Sequence, residues 1–121
     1  MFLSICEKTF QSKVLESQVP VLVNFWAPWC GVCRLVHPLL DQLQASSQAR
    51  LMIVHVNADE NLRLSNTYRL KTLPTLLLFA GGHVRDRIEG FQSRNGLQVA
   101  LERVRLMSLE LGAESVELNR R

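Results

Sequence analysis

The sequence predicts an α/β domain: a central mixed β-sheet flanked by helices on both faces. Three observations lead there. Apolar runs of strand length alternate with helical periodicities, a Gly81-Gly82 pair separates two extended stretches, and the 121 residues are 47% hydrophobic, enough for one core and too little for two domains.

Taken in order, residues 2–5 read as a short strand, and residues 7–17 place Phe10, Val14 and Leu15 at helical spacing. Pro20 then resets the chain. Residues 21–26 are apolar throughout except for Asn24, the pattern of a central strand covered on both faces. From 30 to 47, Leu35, Val36, Leu39, Leu40 and Leu43 return to one side of a helix in which Pro38 predicts a kink. Residues 51–56 read as a second buried strand, and 57–61 as a turn and cap for a short helix reaching Tyr68. Residues 76–79 and 83–89 form a hairpin closed by Gly81-Gly82. Ser93 or Asn95 then caps a helix whose buried face carries Leu97, Leu101, Val104 and Met107. The domain is expected over residues 1–107. Residues 108–121 are expected as a C-terminal extension, partly helical or frayed, with Gly112 as a breaker.

Charge and composition narrow the class. A net charge of +3 with scattered arginines indicates neither disorder nor a strong polyanion-binding surface, so no nucleic-acid partner is expected. No stretch has the apolar length of a membrane span, and no basic region precedes a long apolar stretch at the start. Neither a membrane partner nor secretion is expected, and the cytoplasm is the expected location. Three cysteines cannot all pair within one chain and are too few for a disulfide-stapled scaffold. Cys6 is expected to be a small packed apolar residue.

The functional signal is Trp29-Cys30-Gly31-Val32-Cys33, directly after the run at 21–26. This spacing lets two sulfurs close a small ring where a strand gives way to a helix, so electron exchange through a reversible disulfide is the leading reading. Such a pair also occurs in zinc and iron–sulfur sites, and His37 is the nearest extra ligand. A closed zinc site needs four ligands, and the sequence has no second pair. No metal and no cofactor are expected. Trp26 reads as a core aromatic, and His55 and His83 as ordinary, partly exposed histidines.

Together, Phe25-Trp26-Ala27-Pro28-Trp29-Cys30-Gly31-Val32-Cys33, Pro38, Asp59, Leu73-Pro74-Thr75, Gly82 and Gly90 resemble the thioredoxin family, over roughly residues 2–107. The resemblance implies the thioredoxin fold and a thiol–disulfide oxidoreductase acting on protein disulfide substrates. It also implies that Cys30 attacks, that Cys33 resolves, and that a cis peptide bond precedes Pro74. Asn24, Trp29, Gly31, Val32 and Pro74 would support the active site, and Trp29, Ala58, Thr72, Leu73, Pro74, Gly90 and Phe91 would form the substrate-docking rim. Physical chemistry agrees with the division of labour. A sulfur at a helix start meets unpaired backbone N–H groups and the positive end of the macrodipole, which favour a thiolate, whereas a sulfur one turn inside is shielded.

Departures from the family pattern carry expectations of their own. Asn24 stands where thioredoxins usually have a buried aspartate, and His55 where they have a nearby lysine. An amide cannot take up a proton near neutral pH, so resolution by Cys33 is expected to lose its usual base, unless water or His55 serves instead. Val32 stands in place of proline and restores an N–H in the first helical turn, which would stabilise a Cys30 thiolate and make the couple less reducing. Glu89 and Phe91 flank Gly90 and would narrow partner choice through charge and apolar contact.

The expected molecule is a monomer that draws electrons from a reductase of the thioredoxin-reductase type. Two rival readings are a binding or chaperone-like module on the same fold with weak turnover, and a more oxidising disulfide oxidase or isomerase.

Overall fold

The structure is a computed structural model that describes residues 3–47 and 50–119, with side chains described through residue 111. Four strands, Val21–Trp26 (β1), Met52–Asn57 (β2), Thr75–Ala80 (β3) and His83–Ile88 (β4), form one sheet in the order β2-β1-β3-β4. β1 runs parallel to β2 and antiparallel to β3. A parallel neighbour needs a crossover, and Gly31–Ser46 (α2) supplies it; β3 and β4 need only Gly81 and Gly82. Both glycines have positive φ, 60° and 80°, the conformation a two-residue primed turn demands. A Cβ on Gly82 would lie 3.1 Å from the Leu15 carbonyl oxygen, so that position is closed to larger residues twice over.

Side-chain alternation sorts the core into two layers. Leu22, Ile53, Leu76 and Leu78 face α2 and the long final helix Arg94–Asn119 (α4). Val21, Val23, Phe25, Val54, Val56, Leu77 and Phe79 face the other way, onto Phe10 and Val14 from the amino-terminal turns and Leu64 and Tyr68 around Leu62–Thr67 (α3). Helices therefore cover both faces of a mixed sheet, as the sequence predicts. Burial on both faces explains why residues 21–25 are apolar at nearly every position.

Several local expectations are corrected. The first strand is reduced to a single parallel bridge, Ser4 to His55, made by Ile5 N–H to the His55 carbonyl at 2.9 Å and His55 N–H to the Leu3 carbonyl at 2.8 Å; Phe2 lies outside the described residues. The first helix is one α-turn, Glu7–Phe10 (α1), that widens into a π-helical turn at Gln11–Leu15. Pro38 lies inside α2, as the sequence places it. Ser93 caps α4, its Oγ accepting from Gly96 N–H at 3.0 Å. Gly112 does not break that helix. A lone helical glycine costs about 1 kcal/mol relative to alanine, and Val104, Ser108, Met107 and Leu111, buried or packed against the core, carry the helix up to that position. Ion pairing of Asp86 on β4 with Arg103 on α4, 2.9 Å apart, ties helix to sheet edge.

Candidate functional site

β1 delivers the chain through Ala27-Pro28-Trp29 to Cys30, the N-cap of α2, whose backbone is extended at φ −87° and ψ 106°. The extended cap turns its sulfur back over the helix start, where Cys30 Sγ accepts from Cys33 N–H at 3.2 Å. Cys30 and Cys33 are joined as a disulfide across a Cα separation of 5.4 Å. Their surroundings differ: Cys33 is 1% exposed and Cys30 5%, at the edge of a surface where Gly31 is open, Val32 is 47% exposed and Trp29 is 69% exposed.

Three further segments reach this edge. The Leu73–Pro74 peptide bond is cis, and the Leu73 carbonyl oxygen lies 3.5 Å from Cys30 Sγ. Thr75 Oγ1 donates to the Thr72 carbonyl at 2.7 Å, closing the loop before β3, with Thr72 exposed. On the other side the Trp29 indole Nε1 donates to Asp59 Oδ2 at 2.7 Å, and Ala58 N–H donates to the Trp26 carbonyl at 2.8 Å, fixing the β2–α3 loop beside Trp29. Gly90 has φ 63° and is exposed, and Phe91 is half-buried against the α2–α4 layer. Phe91 and Val32 line a common groove of about 370 Å³ with Leu35, Pro38 and Leu97. Glu89 does not present the bare carboxylate expected of it. Arg87 pairs with both its oxygens, at 2.9 and 3.2 Å, and also donates to the Tyr68 and Arg69 carbonyls, so the charge is answered within the protein.

Behind the disulfide lies what the sequence reading misjudged. His55 is 2% exposed, not a partly exposed surface histidine, because β2 is sandwiched on both faces and bridged along its outer edge at Ser4. It registers against Asn24, itself fully buried, and Asn24 Nδ2 lies 3.1 Å from His55 Nδ1. His37, considered from sequence only as a spare metal ligand, contributes its ring to this group: it meets His55 edge-on at 5.1 Å between centroids and half-buried Trp26 at 5.9 Å. Burial, followed by the neighbouring His37, pushes His55 down to about 4. Burial also lowers His37, with Asp41 opposing. A usable signal existed, since any polar residue inside a strand read as doubly covered must itself be buried. Residues 24 and 55 occupy that position in both strands.

The remaining candidates lie apart from the site. His83 is exposed. Cys6 is an exposed free thiol, contrary to the packed apolar role expected of it. Its residue caps α1, the Cys6 N–H donating to Thr9 Oγ1 at 3.3 Å, and a hydrogen bond from the Lys8 backbone lowers the thiol pKa. Among the described residues, no three His, Cys, Asp or Glu side chains converge as a metal site, and no helix is long and apolar enough to cross a membrane. The assembled geometry is that of a disulfide at a helix start, with one edge open and an exposed aromatic and the Leu73 backbone alongside.

Residues 1–103 match the family model described as Thioredoxin. The chain is 42% identical over 100 residues to Thioredoxin M4, chloroplastic, of Arabidopsis thaliana, an overlap of 83% of this chain and 52% of that protein, about half its length. It is 40% identical over 99 residues to Thioredoxin 1 of Nostoc sp. (82% and 92%), and 36% identical over 94 residues to Thioredoxin of Rickettsia conorii (78% and 90%).

Proposed function

The chain belongs to the thioredoxin family, and from that premise we propose that it reduces or exchanges disulfides on protein partners through the Cys30/Cys33 couple, with Cys30 attacking and Cys33 resolving. The observation that carries this reading is the disulfide at the start of α2, with Cys30 as cap and Cys33 one turn inside. Reduction frees a Cys30 sulfur that already faces the Cys33 N–H, a donor that favours its thiolate, while burial keeps Cys33 protonated until a mixed disulfide forms. Trp29, Ala58, Thr72, Leu73, Pro74, Gly90 and Phe91 form the docking rim, where the Leu73 backbone can pair with an extended substrate segment. Proton handling is atypical, because Asn24 offers hydrogen bonds but no basic oxygen. The working protein is a cytoplasmic monomer supplied by a thioredoxin-reductase-type donor. Residues 1–107 form the active domain and 108–121 an extension.

Insulin reduction tests this. With dithiothreitol, and separately with reductase plus NADPH, wild type should accelerate precipitation of the insulin B chain, and Cys30→Ser should fall to background. Wild type no faster than Cys30→Ser would leave a binding or chaperone-like module as the function.

Val32 bears on the rival oxidising reading. Its N–H stands in the same turn as the Cys33 donor, so the reduced form gains a stabilisation that proline would remove. A Val32→Pro variant should be more reducing, by about 30 mV for each 1.4 kcal/mol of stabilisation lost. Redox titration against glutathione checks this; a wild-type potential equal to or below the variant's contradicts it.

A further inference from the structure

The interior behind the disulfide holds two imidazoles and an amide; among the described residues, no carboxylate is buried. Asn24 and His55 point to the same side of the sheet as Leu22 and Ile53, the side covered by α2. On α2, His37 follows Cys33 by four residues, on the stripe that carries Val36 and Leu40 inward. Residues four apart on a helix are neighbours, and the later side chain leans back over the earlier turn. Asp41 continues the row by four more. Thiol, imidazole and carboxylate thus lie in sequence along one face of α2, with the His55 ring beneath the His37 ring.

We propose that the His37–His55 pair receives the proton Cys33 releases when it resolves the mixed disulfide, and that His37 passes it out past Asp41 to solvent. This rests on the reading of Cys30 and Cys33 as the working couple. In the mixed disulfide, the Cys33 S–H bond breaks and its proton moves to an imidazole nitrogen of His37. The Cys33 thiolate attacks Cys30 Sγ, the Cys33–Cys30 bond forms, and the bond from Cys30 to the partner breaks. Its electron pair leaves on the partner sulfur, which takes a proton from solvent. Over the full cycle the dithiol loses two electrons and two protons, and the partner disulfide gains both.

The surroundings suit a neutral base. Asn24 Nδ2 donates to His55 Nδ1, holding that ring as neutral imidazole with its hydrogen on Nε2. Among the described residues, the pair is faced from α2 by Cys33 and Asp41 and from β1 by Asn24 and Trp26; the Leu3–Ile5 segment beside β2, Leu76 of β3 and the apolar face of α4 bring no charge. The amino-terminal charge adds to the depression of His55. Both rings are therefore neutral at neutral pH; with Nδ1 of His55 already taken by Asn24, the nitrogen that accepts the proton belongs to His37, and the neutral His55 ring beside it adds no opposing charge.

The test mixes the full, reduced chain, in every case carrying Cys6→Ser so that the exposed free thiol does not react as well, with dithiobis(nitrobenzoate) in a rapid-mixing spectrometer. The nitrobenzoate thiolate leaves ionised and needs no proton, so its first release reports attack by Cys30 and its second reports resolution by Cys33. His37→Gln should slow the second release at least about tenfold and flatten its dependence on pH from about 5 to about 8. His55→Gln should move in the same direction, and added imidazole should restore His37→Ala. A wild-type second release in both glutamine variants, or no rescue by imidazole, overturns the proposal. Absence of the first release in wild type would instead overturn the dithiol reading beneath it.

Discussion

A Cys33→Ser variant is expected to stall halfway, with Cys30 joined to its partner and no second thiol to free it. In the native protein the resolving sulfur is already bonded to Cys30 across a Cα distance of 5.4 Å and is 1% exposed, so it competes with nothing from solution. Groups held this close react with effective molarities of about 10⁵ M or more, whereas external thiols reach only millimolar levels. Lifetime of the mixed disulfide should rise by at least about a thousandfold. Turnover then depends on added thiol. On a Cys6→Ser background, which removes the exposed free thiol, intact-mass measurement after mixing with a disulfide peptide should find Cys33→Ser almost wholly as a one-to-one adduct and the chain with both site cysteines free of it. On the same Cys6→Ser background the reciprocal variant, Cys30→Ser, should form no adduct, because its remaining sulfur, Cys33, is shielded by α2. Wild-type turnover by Cys33→Ser, or an adduct on Cys30→Ser, would reverse the two roles.

That asymmetry was legible in the sequence because its determinants are local. An apolar run, a short loop and a cysteine at the first position of a helical periodicity fix which sulfur caps and which is buried, and the two-glycine turn fixes the β3–β4 hairpin. The misjudged features depend on distant residues. His55 lies in a run correctly read as doubly covered, yet as a single residue histidine suggests a surface; its burial follows from β1 and α2, and its neutral state from Asn24, 31 positions earlier. Gly112 looked like a stop because propensity counts against it, and the packing of Met107 and Leu111 in the preceding turns outweighs a cost near 1 kcal/mol. The π-helical turn at Gln11–Leu15 has no composition that distinguishes it from an ordinary helix end. Glu89 looked like a free rim charge until Arg87, two residues before it near the end of β4, proved to hold it. Sequence pattern locates the chemistry; the polar groups that tune it are assembled across the sheet.

Acid should destabilise this protein through His55. Folding lowers its pKa from 6.5 to about 4, through burial first and the adjacent His37 second. Below 6.5 the unfolded chain binds a proton that the folded protein does not, so stability rises with pH across this window and is lost as pH falls from about 6.5 to about 4. Above 6.5 the contribution is flat. The full loss is on the order of 3 kcal/mol, a large share of the roughly 5–15 kcal/mol that holds a domain of this size together. Urea unfolding from pH 7.5 to 4 should therefore show wild type losing stability relative to His55→Gln, whose side chain keeps a hydrogen bond to Asn24 but does not titrate. Asn24→Asp supplies the second arm. Its carboxylate would occupy a position about 3 Å from His55 Nδ1, and an opposite charge that close favours imidazolium. The variant should start lower at pH 7.5, with a desolvated acid in its core, and lose less on acidification. A wild-type curve that tracks His55→Gln down to pH 4 would mean that the buried imidazole is charged in the folded protein, and Asn24 Oδ1 would then be its acceptor.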